Sequence, residues 1–251
     1  MRFACVCFIF VPFAFAECQQ FFTSLHVFAR LCTRISTTCT CTTFMGSIAI
    51  FGASERESSV GEVVFRNLLS AGFDGGIYPI NPKRDTIQGQ KAYRCIGDVD
   101  DAVELAVVIT PAPTIPAIVQ ECGEKRVKMM IIISAGFREA GNEGRKIEDE
   151  VVRIAKDYGI RFIGPNCLGL IRPREGINLT FGNNNASPGN LALVSQSGAI
   201  CTAILDWAEE VSSLQFLLVI RTGDLSSPNS FCIITIHSSN LPFHLLLAFV
   251  E

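Results

Sequence analysis

The chain has 251 residues, with 24 acidic and 21 basic side chains and a formal net charge of −3. That length can bury a substantial core in one or two domains, and the near-balanced charge excludes a general nucleic-acid footprint. Apolar residues crowd both ends and raise the mean hydropathy to +0.35, whereas the middle carries ordinary charge and Gly/Pro punctuation.

Residues 1–45 differ from the rest of the chain. "MRFACVCFIFVPFAFAEC" has an early Arg2, an apolar run and Ala14-Phe15-Ala16, like a signal peptide with its cleavage site. It is too short for a usual transmembrane helix, and no membrane span is expected. Phe21 to Phe44 is rich in Ser, Thr and Cys, with Arg30 and Arg34 and no acid, which resembles a transit peptide. A third reading is a spurious extension, with Met45 opening the working domain. Cys39-Thr40-Cys41 falls short of the four ligands of a structural zinc site, and no metal site is expected. Cys95, Cys122, Cys167, Cys201 and Cys232 are scattered through the body. Their spacing argues against a disulfide framework and for a reducing compartment. The body therefore reads as cytoplasmic, while the leader leaves secretory or organellar targeting open.

Ser47 to Phe51 is short, apolar and β-prone, as a buried parallel strand would be. From Val60, the apolar Val63, Val64, Leu68 and Leu69 recur at helical spacing. Ser59-Val60-Gly61-Glu62 has the form of a capping box, so the helix is expected to start there. Between them, Gly52, Ala53 and Ser54 let backbone approach a ligand closely, with the free N–H groups of the helix start facing an anion. The full G-x-G-x-x-G fingerprint is absent, so an ordinary βα turn is the competing reading. Ile77 to Ile80 forms the next strand and leads into Asn81-Pro82-Lys83-Arg84. An NAD site would place an acid in this region for the ribose hydroxyls. A basic pair suits an extra phosphate on the ribose instead, as in NADP or coenzyme A; a solvated basic turn is the bland alternative.

Strand–helix units continue. Leu105 to Thr110 precedes a helix around Ile115 to Cys122. Lys128 to Ser134 precedes a turn and a helix from about Glu143 to Tyr158, and Arg161 to Ile163 is a short strand. Such alternation implies a doubly wound parallel sheet, whose ligands lie beyond the carboxyl ends of its strands. Those ends are Gly52-Ala53-Ser54, Asn81-Pro82-Lys83, Thr110-Pro111-Ala112, Ser134-Ala135-Gly136 and Gly164-Pro165-Asn166. Each alone is ordinary turn chemistry; five together suggest a long, thin ligand lying across the sheet edge.

"SIAIFGAS", "YPINPK", "ITPAP", "SAGFRE", "GPNCLGL" and "SQSGAI" occur in this order. The set resembles the CoA-binding part of NDP-forming acyl-CoA synthetases, relatives of the succinyl-CoA synthetase alpha subunit, and looks most like the ADP-forming acetyl-CoA synthetase branch. The resemblance spans about Ser47 to Glu210. It implies an α/β chain with a Rossmann-like, doubly wound CoA-binding domain over 46–172. The start of a flavodoxin-like domain over 176–224 and an atypical apolar tail over 225–251 would come next. It implies that Gly52, Ala53, Ser54, Glu55 and Arg56 meet CoA phosphates at the first turn, and that Asn81, Pro82 and Lys83 lie near the CoA nucleotide. Thr110, Pro111 and Ala112 would line the CoA path, and Asn166 would sit in the turn that closes the domain. Ser195, Gln196, Ser197 and Gly198 would start a helix whose N-terminus points at a phosphohistidine; simple capping by Ser195 or Ser197 is the alternative.

The parent reaction converts acyl-CoA, ADP and phosphate into acid, CoA and ATP. None of His26, His237 and His244 has the family's phosphohistidine context, so no catalytic residue is assigned. The ATP-grasp module, a separate subunit or fused domain in the family, is not recognisable. The expectation is a CoA- or acyl-CoA-binding chain that is inactive alone, its possible partner an ATP-grasp subunit. Rival readings are an NADP-dependent oxidoreductase, a non-catalytic CoA- or nucleotide-sensing module, and a non-functional gene fragment. The oxidoreductase would need a placed acid/base such as a Tyr/Lys pair.

Overall fold

The structure, a computed structural model, describes residues 7–9, 46–183, 185–195, 198–211, 216–221, 231–236 and 245–250. β1 (Ser47–Phe51) is buried along its whole length, as its unbroken apolar sequence requires of a central strand. The helix α1 (Val60–Ala71) starts at Ser59, whose Oγ accepts from the Glu62 N–H, and ends at Gly72 in the left-handed conformation. Only the serine half of the expected capping box forms. The Ser59 N–H donates to the Arg56 carbonyl, and Glu62 pairs with Arg66 at 2.7 Å instead.

β2 (Gly76–Ile80), β3 (Leu105–Val108), α2 (Ile115–Glu124), β4 (Met129–Ile132), α3 (Asn142–Tyr158) and β5 (Arg161–Ile163) come next along the chain. The sheet order is β2-β1-β3-β4-β5, and every pair is parallel. This is a Rossmann-like, doubly wound sheet. From β1 the chain steps outward to β2, then returns across β1 to β3, so the order reverses between β1 and β3. At such a switch point the crossovers diverge and leave a crevice at the strand ends.

Alternation along the strands feeds two cores. Ala49, Phe51, Ala106, Val108, Met130 and Ile132 face α2 and α3. Ile48, Ile50, Leu105, Val107 and Ile131 face α1 through Val64, Phe65 and Leu68. A small hairpin, Thr86–Ile87 with Gln90–Lys91, adds the fully buried Ile87 to that second core.

Beyond the sheet, β6 (Gly169–Arg172) and β7 (Ile177–Asn178) pair antiparallel. Then come β8 (Pro188–Ser195), α4 (Gly198–Val211) and β9 (Phe216–Arg221). β8 and β9 are parallel, and β9 runs antiparallel to β6, giving the order β7-β6-β9-β8. Cys7–Ile9, Leu245–Val250 and Phe231–Ile236 form a separate antiparallel sheet. Cys95, Cys122, Cys167 and Cys201 form no disulfide. Among the described residues no helix is long and apolar enough to cross a membrane, and no three potential metal ligands cluster.

Candidate functional site at the sheet switch point

A cleft of about 630 Å³ opens at the β1/β3 switch point. Of the residues singled out in the sequence, Gly52, Ala53, Ser54, Arg56, Asn81, Lys83, Thr110 and Pro111 line it. Three strand ends are therefore brought together: those of β1, β2 and β3.

Two glycines make the floor. Gly52 has φ +88°, and a Cβ there would sit 3.1 Å from the Ile109 carbonyl carbon. Gly61, in the first turn of α1, is tighter: a Cβ would lie 2.1 Å from the Gly52 carbonyl oxygen. The helix start thus lies directly against the β1 turn. Ser59 caps the Glu62 N–H at 3.3 Å. The N–H groups of Val60 and Gly61 lie in the helix's first turn, where no intrahelical acceptor exists, and both residues line the cleft. The helix dipole adds partial positive charge at the same place.

Around this floor stand two cations, Arg56 and Lys83. Both are exposed, and among the described residues no carboxylate pairs with either side chain. Arg84 is engaged elsewhere, 3.7 Å from Glu55. Asn81 is the brace between turns. Its Nδ2 donates to the Ala53 carbonyl at 3.1 Å and its Oδ1 accepts from the Lys83 N–H at 2.9 Å. On the far wall the Thr114 hydroxyl donates to the Pro111 carbonyl and shares a hydrogen bond with the Thr110 hydroxyl.

Four of the twelve residues expected to meet CoA lie off the cleft lining. Glu55 accepts from the Gln88 N–H at 3.0 Å. Pro82 is exposed in its turn. Ala112 is buried at the head of a single 3-10 turn before α2. Asn166, at φ 52° after the cis Gly164–Pro165 bond, donates its N–H to the Ser134 carbonyl at 2.9 Å.

The ends of β4 and β5, read with the others as one ligand edge, are closed by the protein itself. Glu139 Oε1 accepts from the Gly136 and Phe137 N–H groups at 2.6 and 3.2 Å. The buried Glu148 accepts from the Arg138 N–H at 3.2 Å and pairs with its guanidinium. Cys167 Sγ reaches the Ile132 carbonyl. Ser195 ends β8 and Gly198 opens α4, while Gln196, Ser197, His26, His237 and His244 lie outside the described residues.

The sequence places the helix start at Ser59-Val60-Gly61 with its N–H groups toward an anion, and those three residues do line the cleft; Ile109, which also lines it, carried no such signal. The S-x-x-E signal marked the helix start but not that it abuts Gly52. Away from the cleft, the Tyr78 hydroxyl donates to Asp101 at 2.7 Å. That bond, then burial, pushes the phenol up to about 12. Burial raises the Cys122 thiol.

A doubly wound parallel sheet whose switch point offers open helix N–H groups and two unpaired cations defines a Rossmann-like α/β domain of the nucleotide-binding type. The CoA binding domain family matches residues 46–173, and the chain belongs to that family. It is 44% identical over 178 residues to an ADP-forming acetate–CoA ligase of Methanocaldococcus jannaschii, covering 71% of this chain and 25% of that protein. It is 41% identical over 165 residues to the alpha subunit of ADP-forming acetate–CoA ligase I of Pyrococcus furiosus, covering 64% and 36%. The structure resembles the dinucleotide forming acetyl-coenzyme A synthetase 1 of Ca. Korarchaeum cryptofilum, solved with phosphate and ADP. The TM-score is 0.67 at 38% identity, covering 71% of this chain and 38% of that one. The shared region thus spans between a quarter and two fifths of these relatives' lengths, and it corresponds to their N-terminal, CoA-binding portion.

Proposed function

We propose that the chain binds coenzyme A or an acyl-CoA in the switch-point cleft, as the CoA-binding part of an ADP-forming acyl-CoA synthetase. One observation carries this: an anion-ready helix start and two lone cations share one cleft, with no acidic residue among its lining residues. The pyrophosphate bridge would meet the Val60 and Gly61 N–H groups and Arg56. Lys83, on the neighbouring strand end, would meet the ribose phosphate. An NADP enzyme would need an acid/base near the nicotinamide, and the lining holds no Tyr, His or carboxylate.

Isothermal titration of the full chain with CoA and with NADP tests this. CoA is expected to bind more tightly; tighter NADP binding sinks the reading. Phosphoryl transfer needs a nucleophile that takes up and releases phosphate. We assign that step to sequence of the kind the relatives carry outside the shared region. Given acetyl-CoA, ADP and phosphate, the 251-residue chain alone is expected to form no ATP. A phosphorylated His237 or His244, found by mass spectrometry, would overturn this assignment.

A further inference from the structure

The loop Ala53–Ser59, which carries Ser54 and Arg56 into the cleft, has few ties to its own strand and helix. Within it, Ser54 Oγ accepts from the Arg56 N–H at 3.0 Å. Ser59 caps α1, Asn81 Nδ2 donates to the Ala53 carbonyl at 3.1 Å and Arg84 lies 3.7 Å from Glu55; between these, the ties at Ser54 and Glu55 come from the tip of the Thr86–Lys91 hairpin. Gln88 donates its backbone N–H to Glu55 Oε1 at 3.0 Å. Its side-chain Nε2 donates to the Ser54 carbonyl at 3.4 Å and to the Glu62 carbonyl at 3.3 Å. One side chain thus bridges the loop to the first turn of α1, while Ile87 beside it is buried in the core against α1.

The choice of glutamine is informative. Gln88 and Gly89 are the two central residues of a two-residue hairpin, with φ +47° and +79°. Two positive φ values are the type I′ pattern, which favours Asn-Gly. Glutamine is a poorer occupant of the left-handed region than asparagine, so turn chemistry does not explain it. Reach does: asparagine is one methylene shorter and cannot span to both carbonyls.

We infer that Gln88 is a positioning residue for the cleft: from outside the ligand site it fixes the Ala53–Ser59 loop in the shape that presents Arg56 and the α1 N–H groups. In its binding arm this rests on the proposed CoA function. The test is Gln88→Asn in the full chain, which improves the turn and shortens the bridge. The thermal midpoint should stay level or rise. The amides of residues 54–59 should exchange with deuterium faster in the absence of ligand. CoA should bind about tenfold more weakly, the loss of one or two net hydrogen bonds. Unchanged exchange would overturn the inference, whether binding is kept or lost; binding lost without faster exchange would make Gln88 a direct contact. Weaker binding that merely tracks a lowered thermal midpoint would also overturn it. If the wild-type chain binds no CoA, the functional reading falls, and the exchange comparison alone decides the role of Gln88.

Discussion

The turns after β1 and β4 are built alike and end differently. Each comes after a buried strand, consists of small residues and meets a helix through a glycine. A Cβ on Gly61 would lie 2.1 Å from the Gly52 carbonyl oxygen, and one on Gly144 would lie 1.8 Å from that of Phe137. After β4 the N–H groups are consumed by Glu139 and Glu148, and Arg138 is paired with Glu148 and Asp149. After β1 no carboxylate fills the helix start, and Arg56 and Lys83 stand open. On the proposed reading, a small-residue turn can take an external anion where the chain withholds its own, as after β1 and unlike after β4.

Four experiments break or sharpen this contrast. Gly61→Ala and Gly144→Ala should each cost about 3 kcal/mol of stability by overpacking, read as denaturant midpoints. Under conditions where both variants are folded, only Gly61→Ala should lose CoA affinity. Equal loss in both would mean that the β4 turn also meets the ligand. Arg138→Ala should come next, at about 2 kcal/mol of stability. It leaves the nearly buried Glu148 short of its partner, with the figure reduced because Arg138 is partly exposed; titration should show unaltered CoA binding. Lys83→Ala should leave stability alone and weaken CoA by about 1.5 kcal/mol, a charge-assisted contact. Dephospho-CoA should be weakened less, and equal losses would place Lys83 away from the ribose phosphate.

The smallest effect on CoA binding is expected outside both turns, at a residue that serves as a control. Tyr78 is held protonated by Asp101, its pKa raised from 10.0 to about 12. Between these values the folded chain binds more protons than the unfolded one, so stability should fall as pH rises from about 10 to 12. Below pH 10 the contribution is fully present. Tyr78→Phe should flatten that part of the pH–stability curve while leaving CoA affinity at neutral pH intact.

The five sheet strands and three helices were legible in the sequence because each is a run of uniform period: β1 ends where expected, and α1 starts at Val60. Boundaries drifted where apolar runs overshoot the ladder, as at Ile109-Thr110 after β3 and Ile133-Ser134 after β4. The Thr86–Lys91 hairpin was missed, since two-residue strands carry no periodicity. The site was half legible. Small residues marked the strand ends of β1, β2 and β3, but the same chemistry marked those of β4 and β5. Only the fold shows Glu139 turning back on its own loop. The tight fit of Gly61 escaped notice because it is set by a carbonyl nine residues earlier, not by local pattern.

Asn67, on the flank of α1, donates to the carbonyls of both Thr180 and Gly182 at 2.8 Å. At its C-terminal end, the Gly72 backbone is in close contact with Gly176. The helix whose first turn floors the cleft is therefore also clamped by the segment around β7, about 10 Å further along its axis at Asn67 and about 17 Å at Gly72. That makes α1 a mechanical strut. The segment 176–182 and the Val60–Gly61 end of the cleft are thereby tied to one and the same helix.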